Sequence, residues 1–216
     1  MPAVADSVIL LHGLARSDWS MKKLEKALVK RGYRVQNVGY ESTRASVEKL
    51  AEQAIAPALA ACPSSSTVNF VTHSMGGILV RQYLRYHDID KLGRVVMLGP
   101  PNKGSEVVDK LRDFPGFHFF HGDAGLEIGT GATSLPNKLG QANFDLGVIA
   151  GTRSINLFLS RMIPGVNDGK VSVENTRLEG MRDHIEMEVT HTFMMRNKQV
   201  IDQVIHYLKA GKFKRG

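Results

Sequence analysis

The chain lacks the residues on which disulfide-bonded and membrane-spanning proteins depend. It contains one cysteine, Cys62, so an internal disulfide is excluded and a reducing compartment is favoured. No apolar run is long enough to cross a bilayer. The N-terminus has no basic residues ahead of its first apolar stretch, so a secretory signal is not expected. These absences favour a cytoplasmic protein.

Positive charge is in excess, because 28 Lys and Arg residues against 21 Asp and Glu residues give a formal net charge of +7. Part of the excess lies in a basic C-terminal tail formed by Lys209, Lys212, Lys214 and Arg215. This tail is either simply solvated or weakly attracted to an anionic membrane surface. No nucleic-acid-binding motif accompanies the charges, so a nucleic-acid partner is not expected.

Short apolar runs alternate with helical patterns along most of the chain, which predicts an α/β protein. The predicted strands are residues 7–12, 34–38, 67–72, 94–98, 145–150 and 184–189. The predicted helices include residues 18–31, 45–60, 76–87, 105–112 and 195–210. We therefore expect a single domain over residues 1–216, with a mostly parallel sheet of about six strands and helices on both faces.

Residues 100–143 interrupt this alternation with prolines, glycines and only short helical pieces. A loop of this length inside a compact domain is usually functional or disordered, and four phenylalanines argue against disorder. We interpret the segment as a short lid. Its aromatic residues either line an apolar acyl or alcohol pocket or anchor the segment to the core; they are Phe114, Phe117, Phe119 and Phe120.

The same segment contains a short string of metal-binding residue types, His118, His121 and Asp123. The string lacks a further well-spaced ligand and a supporting helix, so a metal site is not predicted. Nothing else in the sequence indicates a cofactor, and none is expected.

Residues 67–77 have the layout of a nucleophile elbow, in which a strand, a sharp turn and a helix follow directly on one another. Ser74 lies at the apex, and Gly76 and Gly77 supply the small residues that the turn and the close helix require. Thr72 stands where the usual pattern has glycine. His73 is expected to point away from the side of the turn that carries the serine.

An early strand runs into His12 and Gly13, which predicts an oxyanion loop beside the elbow. On this interpretation the backbone N–H groups of Leu14 and Met75 stabilise the negative oxygen of a tetrahedral intermediate. Gly13 allows the tight turn beside the substrate. His12 belongs to the same substrate-binding loop and is expected to orient it by hydrogen bonding.

A serine hydroxyl needs a base, and the base needs an orienting acid. His191 follows the last predicted strand and is the expected base. Asp168, in a turn with a glycine, is the expected acid. The rival acids are Asp145, Asp183 and, as the strongest alternative, Glu174.

Taken together, these motifs resemble the serine α/β-hydrolases of the lipase and esterase type along essentially the whole chain. The matching segments are residues 12–14, 72–77, 99–105, 167–171 and 191–195. The early antiparallel strands of the family are absent, because residues 7–12 open the pattern. The resemblance implies the order nucleophile, acid, histidine, which Ser74, Asp168 and His191 follow.

The resemblance implies cleavage of small-molecule carboxylic esters through an acyl-enzyme on Ser74. An acyltransferase or a thioesterase would use the same residues, because the first half-reaction is the same. A catalytically inactive binding module with this fold is a third hypothesis.

Overall fold

The computed structural model describes residues 5–111, 117–155 and 157–215, without the side chains of residues 117–121 and 157–159. The described residues form six strands: β1 (Ser7–Leu11), β2 (Arg34–Val38), β3 (Val68–His73), β4 (Leu92–Leu98), β5 (Leu146–Arg153) and β6 (Asp183–Thr190). The longer helices are α1 (Lys22–Lys30), α2 (Val47–Ala60), α3 (Met75–Tyr86), α5 (Phe117–Glu127) and α9 (Lys198–Ala210). The shorter helices are α4 (Glu106–Leu111), α6 (Leu135–Lys138), α7 (Leu157–Met162) and α8 (Val173–Thr176).

The six strands form one sheet in the order β2-β1-β3-β4-β5-β6, and every neighbouring pair is parallel. Each predicted strand is confirmed to within a few residues at its ends. Parallel strands covered on both faces contain continuous apolar runs rather than alternating ones, as in β1, where every residue is buried. The predicted fold class is therefore confirmed.

Alternate residues of β1 supply the two halves of the core. Ile9 and Leu11 belong to an apolar cluster with residues of α2 and α3 on one face of the sheet. Val8 and Leu10 belong to a second cluster, with residues of α1 and α9 on the other face. The period of two along a strand thus places helices on both faces, as the sequence predicts.

Because the six strands are parallel, the loops after β1, β3, β4, β5 and β6 lie at one edge of the sheet. Ligands of parallel α/β sheets bind at this edge, outside the carboxyl ends of the strands. Three of the predicted site residues lie in these loops, namely Ser74 after β3, Asp168 after β5 and His191 after β6.

The basic tail packs against the protein at the opposite edge. Phe213 is buried, and Arg215 forms an ion pair with Asp183 at the start of β6. Attraction of the tail to an anionic membrane stays a prediction. Among the helices that the structure describes, none combines the length and the apolar character that crossing a membrane requires.

Candidate active site

The turn between β3 and α3 holds Ser74 in a strained backbone conformation. Its φ of 54° and ψ of −124° lie where a residue with a side chain is uncommon. Such a conformation costs on the order of 1–3 kcal/mol and persists only where the surroundings enforce it. The Ser74 N–H donates to the carbonyl of Leu98 in β4 at 2.9 Å. A Cβ on Gly76 would lie 2.7 Å from the carbonyl oxygen of Leu11, so glycine is required there.

Three side chains from separate loops form a hydrogen-bonded chain at this turn. The Nε2 atom of His191 lies 3.0 Å from the hydroxyl oxygen of Ser74. The Nδ1 atom of the same ring lies 2.7 Å from Oδ2 of Asp168. With the Nδ1 proton donated to the carboxylate, Nε2 is free to accept the serine proton. His191 and Asp168 are only 4 % and 2 % exposed, so little water competes for these bonds.

The turn that carries Asp168 is built around its carboxylate. Oδ1 accepts from the backbone N–H groups of Lys170 and Val171, at 3.0 and 2.9 Å. The side chain of Asn167 fixes the same turn by accepting from the N–H of Gly169 at 3.0 Å. Gly169 has a φ of +96°, which favours glycine. Both oxygens of Asp168 are therefore occupied, with Oδ2 directed at His191.

The rival acids lie elsewhere and have other partners. Glu174 has a side chain that is 69 % exposed and forms an ion pair with Lys103. Asp145 pairs with two arginines near the amino ends of the strands, and Asp183 pairs with Arg215. Of the four candidate acids, only Asp168 is within hydrogen-bond distance of His191.

The loop after β1 lies against the serine turn. A Cβ on Gly13 would approach Nδ1 of His73 to 2.9 Å and Cβ of Ser74 to 3.0 Å. His12 lies behind this loop and is fully buried, so the structure does not bring it into the cavity. Its Nδ1 donates to the carbonyl of Gly13 at 2.9 Å, and its ring stacks on Tyr40. Burial lowers the pKa of His12 and so favours its neutral form, against the opposing effect of the bond to Gly13.

Known structures share this architecture at low sequence identity. A lipase from Bacillus licheniformis in its mature form has a TM-score of 0.76 at 18% identity, covering 96% of this chain and 93% of its own. A metagenomic carboxyl esterase has a TM-score of 0.73 at 17% identity over 88% of this chain and 65% of its own. A pyrethroid hydrolase from Sphingobium faniae has a TM-score of 0.56 at 14% identity over 96% of this chain and 98% of its own.

The chain has the α/β-hydrolase fold. No protein-family model and no curated protein sequence matches it. At these identities the likeness shows the fold alone, so the roles of individual residues depend on their geometry.

In an α/β-hydrolase fold, the oxyanion donors come from the loop after an early strand and from the residue after the nucleophile. Leu14 lines the cavity beside Ser74, and Met75 begins α3. Within the described part of the chain, the N–H groups of Leu14 and Met75 have no hydrogen-bond acceptor. The first N–H groups of a helix have no acceptor inside the helix, so the N–H of Met75 is available to donate to a ligand.

One cavity opens over the serine turn of this α/β-hydrolase fold. Its apolar wall includes Leu14, Pro101 and Val171, together with Val107 and Val108 of α4. Ile128, which follows α5, completes this wall. Its polar lining comes from Gly13, Arg16, His73, Ser74, Ser105, Lys170 and His191.

The predicted aromatic lining depends on side chains that lie outside the described part of the chain. Phe114 lies outside the described residues, as do the side chains of Phe117, Phe119 and Phe120. The wall that the structure describes is aliphatic, and four of its residues belong to the predicted lid segment, namely Pro101, Val107, Val108 and Ile128. The sequence predicts a helix over residues 105–112, but it does not show which of its side chains face the cavity or that Ile128 joins them.

His73 differs from its expected position. Its ring is buried beside His191, lines the same cavity as Ser74 and donates from Nε2 to the carbonyl of His191 at 2.9 Å. A buried ring N–H needs an acceptor, and the loop after β6 supplies one. The Nδ1 atom has no partner in the described part of the chain. Burial and the neighbouring His191 hold the pKa of His73 well below its ordinary value.

Proposed function

We propose that this protein is a serine hydrolase that cleaves carboxylic ester bonds through an acyl-enzyme on Ser74. The observation that carries the proposal is the hydrogen-bonded chain from Ser74 through His191 to the buried carboxylate of Asp168, with distances of 3.0 and 2.7 Å. The similarity of the fold to a lipase and a carboxyl esterase supports the same class of reaction.

In the first half-reaction, the Ser74 hydroxyl attacks the ester carbonyl while Nε2 of His191 accepts its proton. Asp168 holds the ring with the proton on Nδ1 and stabilises the imidazolium that forms. A bond forms between Ser74 Oγ and the carbonyl carbon, and the carbonyl π electrons move to oxygen. The N–H groups of Leu14 and Met75 would then stabilise the negative oxygen.

Collapse of this intermediate expels the alcohol, which receives the proton held on His191. Water then enters, gives a proton to the same Nε2 atom and attacks the acyl carbon. Breakdown of the second intermediate returns the proton to Ser74 and releases the acid. The same ring thus acts as base and acid in turn, which requires a neutral His191 at the start of each half-reaction.

The aliphatic wall formed by Val107, Val108 and Ile128 suits a mainly apolar acyl group. Because these residues belong to residues 100–143, the segment contributes to the cavity as a lid would. The arrangement needs no metal or cofactor for the steps above.

Hydrolysis of p-nitrophenyl esters of increasing acyl length tests the proposal. We expect turnover by the unaltered protein, and a loss of about 10⁴-fold or more in kcat for Ser74→Ala and for His191→Ala. Ser65→Ala is the matched control, because Ser65 is an exposed serine before β3 and should leave turnover unchanged. Turnover that survives in Ser74→Ala would contradict the proposed nucleophile.

A further inference from the structure

Two positively charged side chains line the cavity that contains Ser74. Arg16 follows the loop after β1, and Lys170 lies in the turn that carries Asp168. They reach the cavity from opposite sides, because β1 lies next to one edge strand of the sheet and β5 lies next to the other. The cavity lining that the structure describes includes no carboxylate to balance them.

Neither cation has a partner among the residues that the structure describes. Within residues 5–111, 117–155 and 157–215, the side chains of Arg16 and Lys170 make no ion pair and no hydrogen bond. The carboxylate of Asp168 is the nearest negative charge in sequence to Lys170, but its oxygens are already bonded to His191 and to two backbone N–H groups. By contrast, Lys103, close to the same edge, pairs with Glu174.

Both cations are attached to backbone that is held in place. Ala15, directly before Arg16, has a φ of 53°, and its N–H donates to the hydroxyl of Ser42 at 2.9 Å. The N–H of Lys170 donates to Asp168, and its carbonyl accepts from the hydroxyl of Ser105 at 2.9 Å. The charges are therefore presented by turns that also carry the predicted oxyanion loop and the predicted acid.

The two charges affect each other and the site. Lys170 is exposed as a whole residue, but its ammonium group is surrounded by protein. Burial of this group and the charge of Arg16 lower the pKa of Lys170, whereas the charge of Asp168 raises it. Both cations also contribute to the low pKa of His73. Two like charges that face one cavity without a counter-charge repel each other, and a cleft lined by one sign of charge attracts the opposite sign.

We propose that Arg16 and Lys170 form an anion subsite at the cavity that contains Ser74, so that the preferred ester carries a carboxylate or phosphate group. This proposal rests on the proposed function and adds a substrate class to it. The guanidinium offers planar paired donors and the ammonium a compact charge, a combination suited to an oxyanion. The apolar wall would take the uncharged part of the same molecule.

The first experiment compares charged and uncharged esters of the same shape. On the acyl side, the pair is p-nitrophenyl hydrogen glutarate and its distal methyl ester. On the alcohol side, the pair is para-butanoyloxybenzoate and its methyl ester. All are soluble monomers, so a preference reflects the site and not adsorption to a lipid surface. We expect a higher kcat/KM for the anionic member of at least one pair. This preference should become smaller at high salt, which screens the charges.

Arg16→Gln and Lys170→Gln should each lower kcat/KM for the preferred anionic ester by about three- to tenfold, as expected for partly exposed charges. Turnover of the uncharged partner should change less than twofold. The matched control is Arg31→Gln with Lys209→Gln, which removes the same charge at the opposite edge of the sheet. If this control reduces the preference for the anionic ester as much as Arg16→Gln combined with Lys170→Gln does, net charge explains the preference and the subsite is wrong.

A binding measurement separates the subsite from the proposed reaction. Isothermal titration of Ser74→Ala with hexyl phosphate should give binding that hexanol does not, and adding Arg16→Gln and Lys170→Gln should abolish it. If the unaltered protein hydrolyses no ester but Ser74→Ala binds hexyl phosphate, the reaction is wrong and the subsite stands. The subsite is wrong if the protein shows no preference for anionic esters and Ser74→Ala does not bind hexyl phosphate.

Discussion

Gly99 lies directly against the carboxylate of Asp168. A Cβ at position 99 would come within 2.9 Å of Asp168 Oδ2 and within 3.1 Å of His191 Nδ1, the two atoms joined by the buried hydrogen bond. Gly99 also has a φ of +54°, which favours glycine. The turn after β4 therefore allows Asp168 and His191 to meet only because Gly99 carries no side chain.

Gly99→Ala is expected to lower kcat by about tenfold to a hundredfold, because displacement of positioned groups by a fraction of an ångström is costly. Ester turnover and thermal unfolding should be measured together. The matched control is Gly131→Ala, where an added Cβ meets nothing within 4 Å. Full activity in a folded Gly99→Ala protein would contradict the close contact.

The assignment of the acid has its own test, in the comparison of Asp168→Asn with Glu174→Gln. An asparagine would favour the wrong tautomer of His191 and could not stabilise the imidazolium, so we expect kcat to fall by about 10³- to 10⁴-fold. Glu174 is exposed and paired with Lys103, so Glu174→Gln should retain nearly full activity. The reverse ranking in steady-state kinetics would show that the acid is misassigned.

Thr72 is fully buried, and its hydroxyl has no partner in the described part of the chain. Thr72→Val should therefore leave the free energy of unfolding unchanged or raise it by up to about 1 kcal/mol, since an unsatisfied polar atom is removed. Thr176 is buried to a similar extent, but its hydroxyl donates to the carbonyl of Val173 at 2.6 Å. Thr176→Val should lower the free energy of unfolding by about 1–2 kcal/mol. Urea denaturation of both variants measures the free energy of unfolding. An equal decrease in the two variants would contradict the difference expected between the two hydroxyl groups.

Stability should fall in mild acid. Burial, followed by the charge of Arg177, lowers the pKa of His184 from 6.5 to about 4. Between these values the unfolded chain binds a proton that the folded protein does not, so protonation favours unfolding. The free energy of unfolding should decrease as the pH falls from about 6.5 to about 4, and His12 and His73 act in the same direction.

His184→Gln should make this decrease smaller, because glutamine does not titrate and can still bond to the hydroxyl of Thr176, which lies 3.0 Å from His184 Nε2. Denaturant titrations across the pH range measure the slope. An identical slope in the variant would show that His184 is not responsible.

The sequence predicts the sheet well because its strands are continuous apolar runs. The regular alternation of strands and helices also leaves few ways to order parallel strands in a sheet. It also predicts the convergence of Ser74, Asp168 and His191, since the carboxyl ends of parallel strands meet at one edge. The short helices α6, α7 and α8 were not predicted. Helices of this length depend on tertiary contacts and have no period to detect.

The polar lining of the cavity is harder to predict than the hydrogen-bonded chain. Arg16 and Lys170 come from two different loops and His73 from the end of β3, and the motifs that contain His73 and Lys170 do not show that these side chains face the cavity. Whether such a side chain faces the cavity depends on its direction at the end of a strand. A difference of one residue in the length of the strand reverses that direction. The sequence favours Asp168 as the acid but leaves Glu174 as an alternative, and the geometry of the turn around Asp168 supports the first choice.

The most direct test of the central claim is labelling of the pure protein with a fluorophosphonate probe, with the modified residue located by mass spectrometry. We expect modification at Ser74 in the unaltered protein, its loss in His191→Ala and its retention in Ser65→Ala. A folded protein whose Ser74 stays unmodified would contradict the claim that His191 and Asp168 activate this serine.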